Sequence, residues 1–213
     1  MPGASLSGSW VSQLRRFVSP PPALEHCQFC HVAIAAKHPH LIEVSNRGVV
    51  CACSDCAVAE TARPGSPYRL IPQKIQLLRD FAISDAQWGA FQIPIDLVFV
   101  FLDSAAGRPV ALYPGAAGAI QSLLGLEAWA ELTASNPVLN QLQPDVEALL
   151  VNRTKGTREY YRAPIDRCYA LAGLIRTHWR GLSGGTAVWD HIDAYFAGLR
   201  DEAAAVGRAA GHD

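Results

Sequence analysis

The sequence predicts an α+β protein in which a small cysteine-rich module precedes a mixed α/β body with a small, largely antiparallel sheet and C-terminal helices. Two observations support this class. Five of the six cysteines and four of the seven histidines fall between residues 26 and 60. From Tyr68 onward, β-branched and aromatic runs alternate with apolar residues at helical spacing. With 213 residues, half of them hydrophobic, the chain can bury one sizeable core beside a small module.

Four regions follow from the order of these patterns. Residues 1–24 place apolar side chains at helical spacing before a run of prolines, which predicts an N-terminal helix and a Pro-rich connector. Residues 25–65 form the cysteine-rich module, which ends among turn-forming residues. Residues 66–203 form the body, and we expect the Ala-rich tail at 204–213 to fray.

Charge and hydropathy argue against several function classes. The 18 basic and 19 acidic residues leave a formal net charge of −1, so no long-range field draws the chain to nucleic acid. The first residues lack a secretory pattern, and no run reaches the length of about 20 apolar residues that spans a bilayer. We therefore expect a cytoplasmic protein, in which the cysteines stay reduced or bind a metal.

The cysteines of the module form two C-x2-C pairs. Cys27 and Cys30 make the first pair, and Cys53 and Cys56 make the second after 22 intervening residues. Tetrahedral zinc needs four ligands, and a C-x2-C turn lets two thiolates converge on one ion. This spacing predicts a metal site built from all four cysteines.

The residues around the cysteine pairs predict the fold of the module. Residues 40–44 and 49–52 have the character of two strands, with a turn at the sequence SNRG between them. The residues after Cys53 have helical character, so Cys53 and Cys56 should lie at a helix N-terminus, where the helix dipole favours thiolates. Knuckle, hairpin and short helix in this order resemble a treble-clef zinc finger, with the zinc ribbon as a close relative.

The metal and the full ligand set stay open at this point. Four thiolates close the coordination shell, so zinc here would be structural; iron would instead make the module a rubredoxin-like electron carrier. Against iron, neither pair is followed by the glycine of a rubredoxin knuckle. Cys51 shares a strand face with Cys53 and could compete for a ligand position. His31, His38 and His40 could each replace a thiolate, although we expect them as nearby donors or surface residues.

The sequence of the first half of the body predicts a helix followed by a hairpin. Ser84 is a candidate cap for a helix that stops by Pro94. Residues 97–102 and 109–113 form the clearest hairpin in the chain, joined by a Gly-containing turn. The small-residue sequence YPGAAGAI at 113–120 is interpreted as a tight strand-to-helix connection, with anion binding by its backbone as the alternative.

The sequence of the second half of the body predicts one strand and three helices. Residues 126–137 are helical, residues 146–153 form a strand, and two helices follow over 163–181 and 184–205.

An enzyme in the body is a further alternative. Tyr113, Asp145, Glu147 and Asp166 could line one pocket, and Cys168 could be a nucleophile. Against this, Asp166 fits as a carboxylate in the first turn of a helix, and Cys168 lies among apolar residues at core spacing. No catalytic triad or paired-carboxylate signature stands out in the sequence.

The chain also resembles an uncharacterised bacterial family associated with gene clusters for nickel-iron hydrogenases. The resemblance runs from Cys27 to Leu199 and is carried by these stretches: CQFC, HPHLIE, CACSDC, QWGAFQIPI, ALYPGAAGAIQSLL, NPVLNQLQPDVEALLVNR, PIDRCYALAGLIRTHWRGLSGG and WDHIDAYF. It implies a cytoplasmic accessory protein for hydrogenase assembly or electron supply. The implied partner is a hydrogenase subunit or a maturation factor.

Overall fold

A computed structural model describes residues 25–122, 125–181 and 184–209 of the chain. The predicted N-terminal helix and Pro-rich connector in residues 1–24 lie outside the described residues. The predicted α+β class is confirmed, because the described residues form a cysteine-rich module, three antiparallel sheets and a pair of C-terminal helices.

The module has the order knuckle, hairpin, helix and one further strand. Its elements are β1 (Glu25–His26), β2 (Ala33–Ile34), β3 (His40–Glu43), β4 (Gly48–Cys51), α1 (Ser54–Ala62) and β5 (Tyr68–Leu70). Strands β1 and β2 pair around the first C-x2-C turn, and the predicted hairpin of β3 and β4 is confirmed. Strand β5 pairs with the other edge of β3, so the sheet of the module extends past residue 65.

The body is built on one six-stranded antiparallel sheet. Its elements are β6 (Gln76–Leu77), α2 (Asp85–Ala90), β7 (Leu97–Asp103), β8 (Arg108–Gly115), β9 (Gly118–Ser122), α3 (Leu126–Ser135), β10 (Glu147–Asn152), β11 (Glu159–Pro164), α4 (Ile165–His178) and α5 (Gly185–Ala209). The strand order across the sheet is β6, β11, β10, β7, β8, β9. The predicted hairpin is the pair β7 and β8, and the predicted strand at 146–153 is β10.

The central strands of this sheet are buried on both faces. Along β7, Leu97, Phe99 and Phe101 point into a core with α4 and α5, whereas Val98 and Val100 point into a second core with residues of α3. Successive side chains of a strand point to opposite faces, so a strand covered on both sides is apolar throughout. This explains the continuous hydrophobic run of β7 in the sequence.

The helix starts follow local sequence signals. Ser84 accepts a hydrogen bond from the backbone N–H of Gln87, and the Gln87 side chain accepts one from the Ser84 N–H. This reciprocal pair fixes the first turn of α2 and confirms Ser84 as its cap. The last helix reaches Ala209, so the boundary predicted at residue 204 falls inside α5.

The interpretation of residues 113–120 as a strand-to-helix connection is wrong. Strand β8 continues to Gly115, the chain turns, and β9 runs back beside it with Tyr113 opposite Ile120. Gly118 has a φ of 110°, a conformation that a side chain would strain, so glycine suits this tight turn. The small residues therefore form a hairpin, and α3 begins only after Gly125.

Candidate metal centre

Four cysteine sulfurs converge in the module. The sulfur atoms of Cys27, Cys30, Cys53 and Cys56 all lie within 4.8 Å of one another. The sulfurs of Cys30 and Cys53, which come from different pairs, are 3.7 Å apart. None of the four forms a disulfide. The two C-x2-C pairs thus meet, and this group of sulfurs could hold a metal ion.

The first pair is positioned by the turn between β1 and β2. The Cys27 N–H donates to the carbonyl of Val32, and the His31 N–H donates to the carbonyl of Cys27, both at 2.9 Å. Gln28 joins this turn to β4, because its N–H donates to the Cys51 carbonyl and its side-chain oxygen accepts the Cys51 N–H. The hydrogen bonds of Gln28 hold the first pair close to the second.

The second pair lies at the start of α1. Cys53 is the residue before the first turn of the helix, and Cys56 lies in that turn. The Cys53 side chain makes no capping hydrogen bond, so its sulfur is free to face Cys30. The predicted placement of this pair at a helix N-terminus is confirmed, and the helix dipole there favours negative sulfur.

The charges of four adjacent sulfurs are coupled. Burial opposes ionisation of Cys27, but hydrogen bonds from the backbone of Cys53, Cys30 and Phe29 outweigh it and lower its pKa to about 6. The pKa of Cys56 is raised, chiefly through its contacts with the sulfurs of Cys53 and Cys30. The surroundings therefore favour a thiolate at Cys27 and oppose one at Cys56. A cation at the centre would offset the repulsion between adjacent thiolates.

Cys51, His38 and His40 form a group of their own. Their ligand atoms also lie within 4.8 Å of one another, and none of the three belongs to the four-sulfur group. Burial, followed by the nearby charges of Glu25 and Cys27, raises the pKa of the Cys51 thiol. These three side chains therefore gather beside the four-sulfur group and not within it.

The four side chains proposed for an enzyme site do not meet in the groove that Asp166 lines. Asp166 lines a groove between module and body, and Tyr113, Asp145 and Glu147 are not among the residues that line it. Glu147 is buried and accepts hydrogen bonds from the guanidinium of Arg162 at 2.6 and 2.9 Å. Its charge is neutralised by this pair, which supports a structural role.

Cys168 lies in the interior of the body. It is fully buried in the core formed with α4 and α5, and burial raises the pKa of its thiol. A reactive cysteine needs partial exposure and a stabilised thiolate, so Cys168 is a packing residue.

The fold and the site together define a class: a small module with four converging cysteines joined to an antiparallel α+β body. The chain belongs to the Family of unknown function (DUF5947), whose model matches residues 26–203. The match covers both the module and the body. No curated protein and no solved structure matches the chain. In the part of the chain that the structure describes, no helix is long and apolar enough to cross a membrane.

Proposed function

We propose that this protein is a metal-binding accessory protein whose module holds one structural zinc ion through Cys27, Cys30, Cys53 and Cys56. The convergence of the four sulfurs within 4.8 Å carries this proposal. With Zn–S bonds of about 2.3 Å, the sulfurs of a tetrahedral site lie ~3.8 Å apart. The distance of 3.7 Å between the Cys30 and Cys53 sulfurs fits such a site.

The small core of the module supports a structural role for the ion. This core is built on five buried side chains: Cys27, Ile34, Leu41, Ala52 and Ala57. So small a core stabilises a fold poorly, and small domains of this kind use a metal or disulfides instead. Binding free energies of about 10 to 16 kcal/mol are typical of structural zinc and would hold the module in its fold.

We further propose that the protein is a docking or assembly factor for a nickel-iron hydrogenase system in the cytoplasm. The resemblance of the sequence to a family from hydrogenase gene clusters supports this, and so does the surface of the module. Val32, Val58 and Leu70 each expose half or more of their surface, and all three belong to the module. Surfaces that bind another protein typically carry exposed apolar side chains.

Copurification from a native host tests the docking role. The tagged full chain should bring down a hydrogenase subunit or maturation factor, and a clean deletion should lower hydrogenase activity. Val58→Ser should weaken the copurification, whereas Ala59→Ser, at an exposed position on the same helix, should not. A protein that elutes alone, together with a deletion strain of normal hydrogenase activity, would rule out this role.

A rubredoxin-like iron carrier is the second candidate. Exposure of Cys30 favours it, because an electron can pass from a surface ligand to a partner over a short distance. Iron bound by thiolates absorbs visible light, and zinc does not. A visible spectrum and metal analysis of protein made without added zinc separate the two. Colourless protein that contains zinc and no iron would leave only the structural role.

A further inference from the structure

The hairpin of the module presents a second group of metal ligands beside the four-sulfur group. Leu41 lies in the core of the cysteine module, whereas its neighbour Ile42 lies in the core of the body. His40 and Cys51 are directly opposite each other on β3 and β4. Side chains that face each other in an antiparallel pair lie on the same side of the sheet. His38, two residues before His40, completes the group.

Hydrogen bonds fix which ring nitrogens carry protons. Nδ1 of His40 lies 2.6 Å from a carboxylate oxygen of Asp166, and Nδ1 of His38 lies 2.8 Å from the carbonyl oxygen of Ala35. Both oxygens can only accept a hydrogen bond, so each Nδ1 donates. Glu25, whose carboxylate lies 3.4 Å from the same nitrogen of His38, also requires a donor there. In neutral rings, both Nε2 atoms are then left with a lone pair.

These two Nε2 atoms face each other at 3.1 Å. Two lone pairs at this distance repel unless a cation lies between or beside them. The sulfur of Cys51 lies within 4.8 Å of one ring nitrogen of each histidine and provides a third donor for the same cation. We propose that His38, His40 and Cys51 form a second metal site for a divalent transition-metal ion such as zinc.

Asp166 would orient the site. Histidine ligands usually donate their second ring N–H to a carboxylate or a carbonyl, which fixes the ring and strengthens the metal bond. Here His40 donates to a carboxylate of the body and His38 donates to a carbonyl of the module. Because Asp166 lies in the first turn of α4, the contact also ties the second site to the body.

Two residues of the second site face a groove. His38 and His40 line a groove of about 750 Å³ between the module and the body, with Asp166 and Arg167 on its other wall. Three protein ligands leave one position of a tetrahedral ion free, as in catalytic zinc sites. That position would take water or a small ligand from the groove. On binding, neutral imidazoles coordinate through Nε2, and the Cys51 thiol releases its proton to solvent.

Metal content of the full chain tests the proposal. Reduced protein is equilibrated with excess zinc, passed through gel filtration and analysed for metal. The wild type should hold two zinc ions, and the separate variants His38→Gln and Cys51→Ser should each hold one. His191→Gln removes an exposed histidine of α5 and should keep both ions. Retention of the first zinc shows that the module of each variant is folded.

Cobalt added to protein whose four-cysteine site holds zinc gives a second readout. It should produce a charge-transfer band from one cobalt–sulfur bond, which Cys51→Ser abolishes. Asp166→Asn should weaken cobalt binding by about 10- to 100-fold without releasing zinc from the four cysteines.

Three results would overturn the proposal. The first is a wild type that binds only one zinc, which would mean that a shared proton satisfies the two imidazoles. The second is a second ion that survives both His38→Gln and Cys51→Ser. The third is loss of both ions from both variants, which would make these residues part of the four-cysteine fold. None of these results depends on a hydrogenase partner.

Discussion

Arg47, in the turn of the module hairpin, forms an ion pair with Asp103 at the end of β7 in the body. The Arg47 guanidinium also lies over the ring of Phe101, 5.2 Å from its centroid. A second ion pair joins Arg69 of β5 to Asp145, with 2.7 Å between a guanidinium nitrogen and a carboxylate oxygen. The angles of this contact are not those of a hydrogen bond. Asp103 and Asp145 are both buried, and the negative charge of each of these two carboxylates is balanced by an arginine of the module. The module and the body are thus joined by charge as well as by apolar contact.

Removal of Arg47 should destabilise the protein. Arg47→Ala leaves the buried carboxylate of Asp103 with only backbone donors such as the Ala106 N–H. We expect a loss of about 1 to 3 kcal/mol in the free energy of unfolding, measured with urea. Arg63→Ala is the control, since Arg63 pairs with Glu60 at the surface of one helix and should contribute about 0.5 kcal/mol or less. Equal effects of the two substitutions would show that the contact with Asp103 adds no stability.

The contribution of this ion pair should depend on pH. Burial opposes ionisation of Asp103, but the Ala106 N–H and Arg47 outweigh it and lower its pKa below the ordinary 3.8. A lowered pKa in the folded state adds stability above pH 3.8, and that stability is lost as the pH falls through the folded pKa. The stability difference between wild type and Arg47→Ala should therefore shrink below pH 3.8. Release of a metal from the proposed site in acid would affect both proteins equally, so their difference isolates the ion pair. A constant difference would contradict the assignment.

Leu41 and Ile42 provide a matched test of the two faces of β3. Both side chains are almost fully buried, but Leu41 packs in the cysteine core and Ile42 packs in the body core. Each substitution to alanine should cost about 2 to 5 kcal/mol. Leu41→Ala should also weaken zinc binding to the cysteines in a chelator competition, whereas Ile42→Ala should leave that affinity unchanged. The reverse pattern would show that the two faces are assigned wrongly.

The effect of a cysteine substitution on metal binding should not depend on how deeply the cysteine is buried. Cys30 is exposed and Cys168 is fully buried, so packing alone would make Cys30→Ser the milder change. We expect the opposite for the metal: in the proposed site, Cys30→Ser removes a ligand, and the module should lose its metal and its order together. Cys168→Ser should keep the metal and cost about 1 to 3 kcal/mol, because it buries a hydroxyl among apolar residues. Amide hydrogen exchange in the module separates the two effects, and protected amides in Cys30→Ser would contradict the role of Cys30.

Local patterns in the sequence predicted the elements that local chemistry determines. The spacing of the C-x2-C pairs, the β7 and β8 hairpin and the cap at Ser84 each depend on residues close together in the chain, and all three appear in the structure. The prediction for residues 113–120 was wrong because a sequence of alanine and glycine is compatible with the start of a helix as well as with a hairpin. What decides there is pairing with β8, a tertiary contact.

Contacts between distant segments could not be predicted from the sequence. Asp166 lies 126 positions from His40, and only the docking of α4 against the module brings them together. Strands β5, β6 and β11 were not predicted, because they are short or run directly into a helix. The sequence carried one usable signal for the group of His38, His40 and Cys51, because residues 40 and 51 fall on the two strands of the predicted hairpin. The structure places these two residues opposite each other.

Zinc K-edge X-ray absorption on the Cys51→Ser variant tests the central claim most directly. This substitution removes a ligand of the second site, so the absorbing zinc should lie at Cys27, Cys30, Cys53 and Cys56. The spectrum should show a single shell of four sulfur atoms at about 2.3 Å. A shell of nitrogen or oxygen at about 2.0 to 2.1 Å in place of one or more sulfurs, or folded protein without zinc, would contradict the four-cysteine centre.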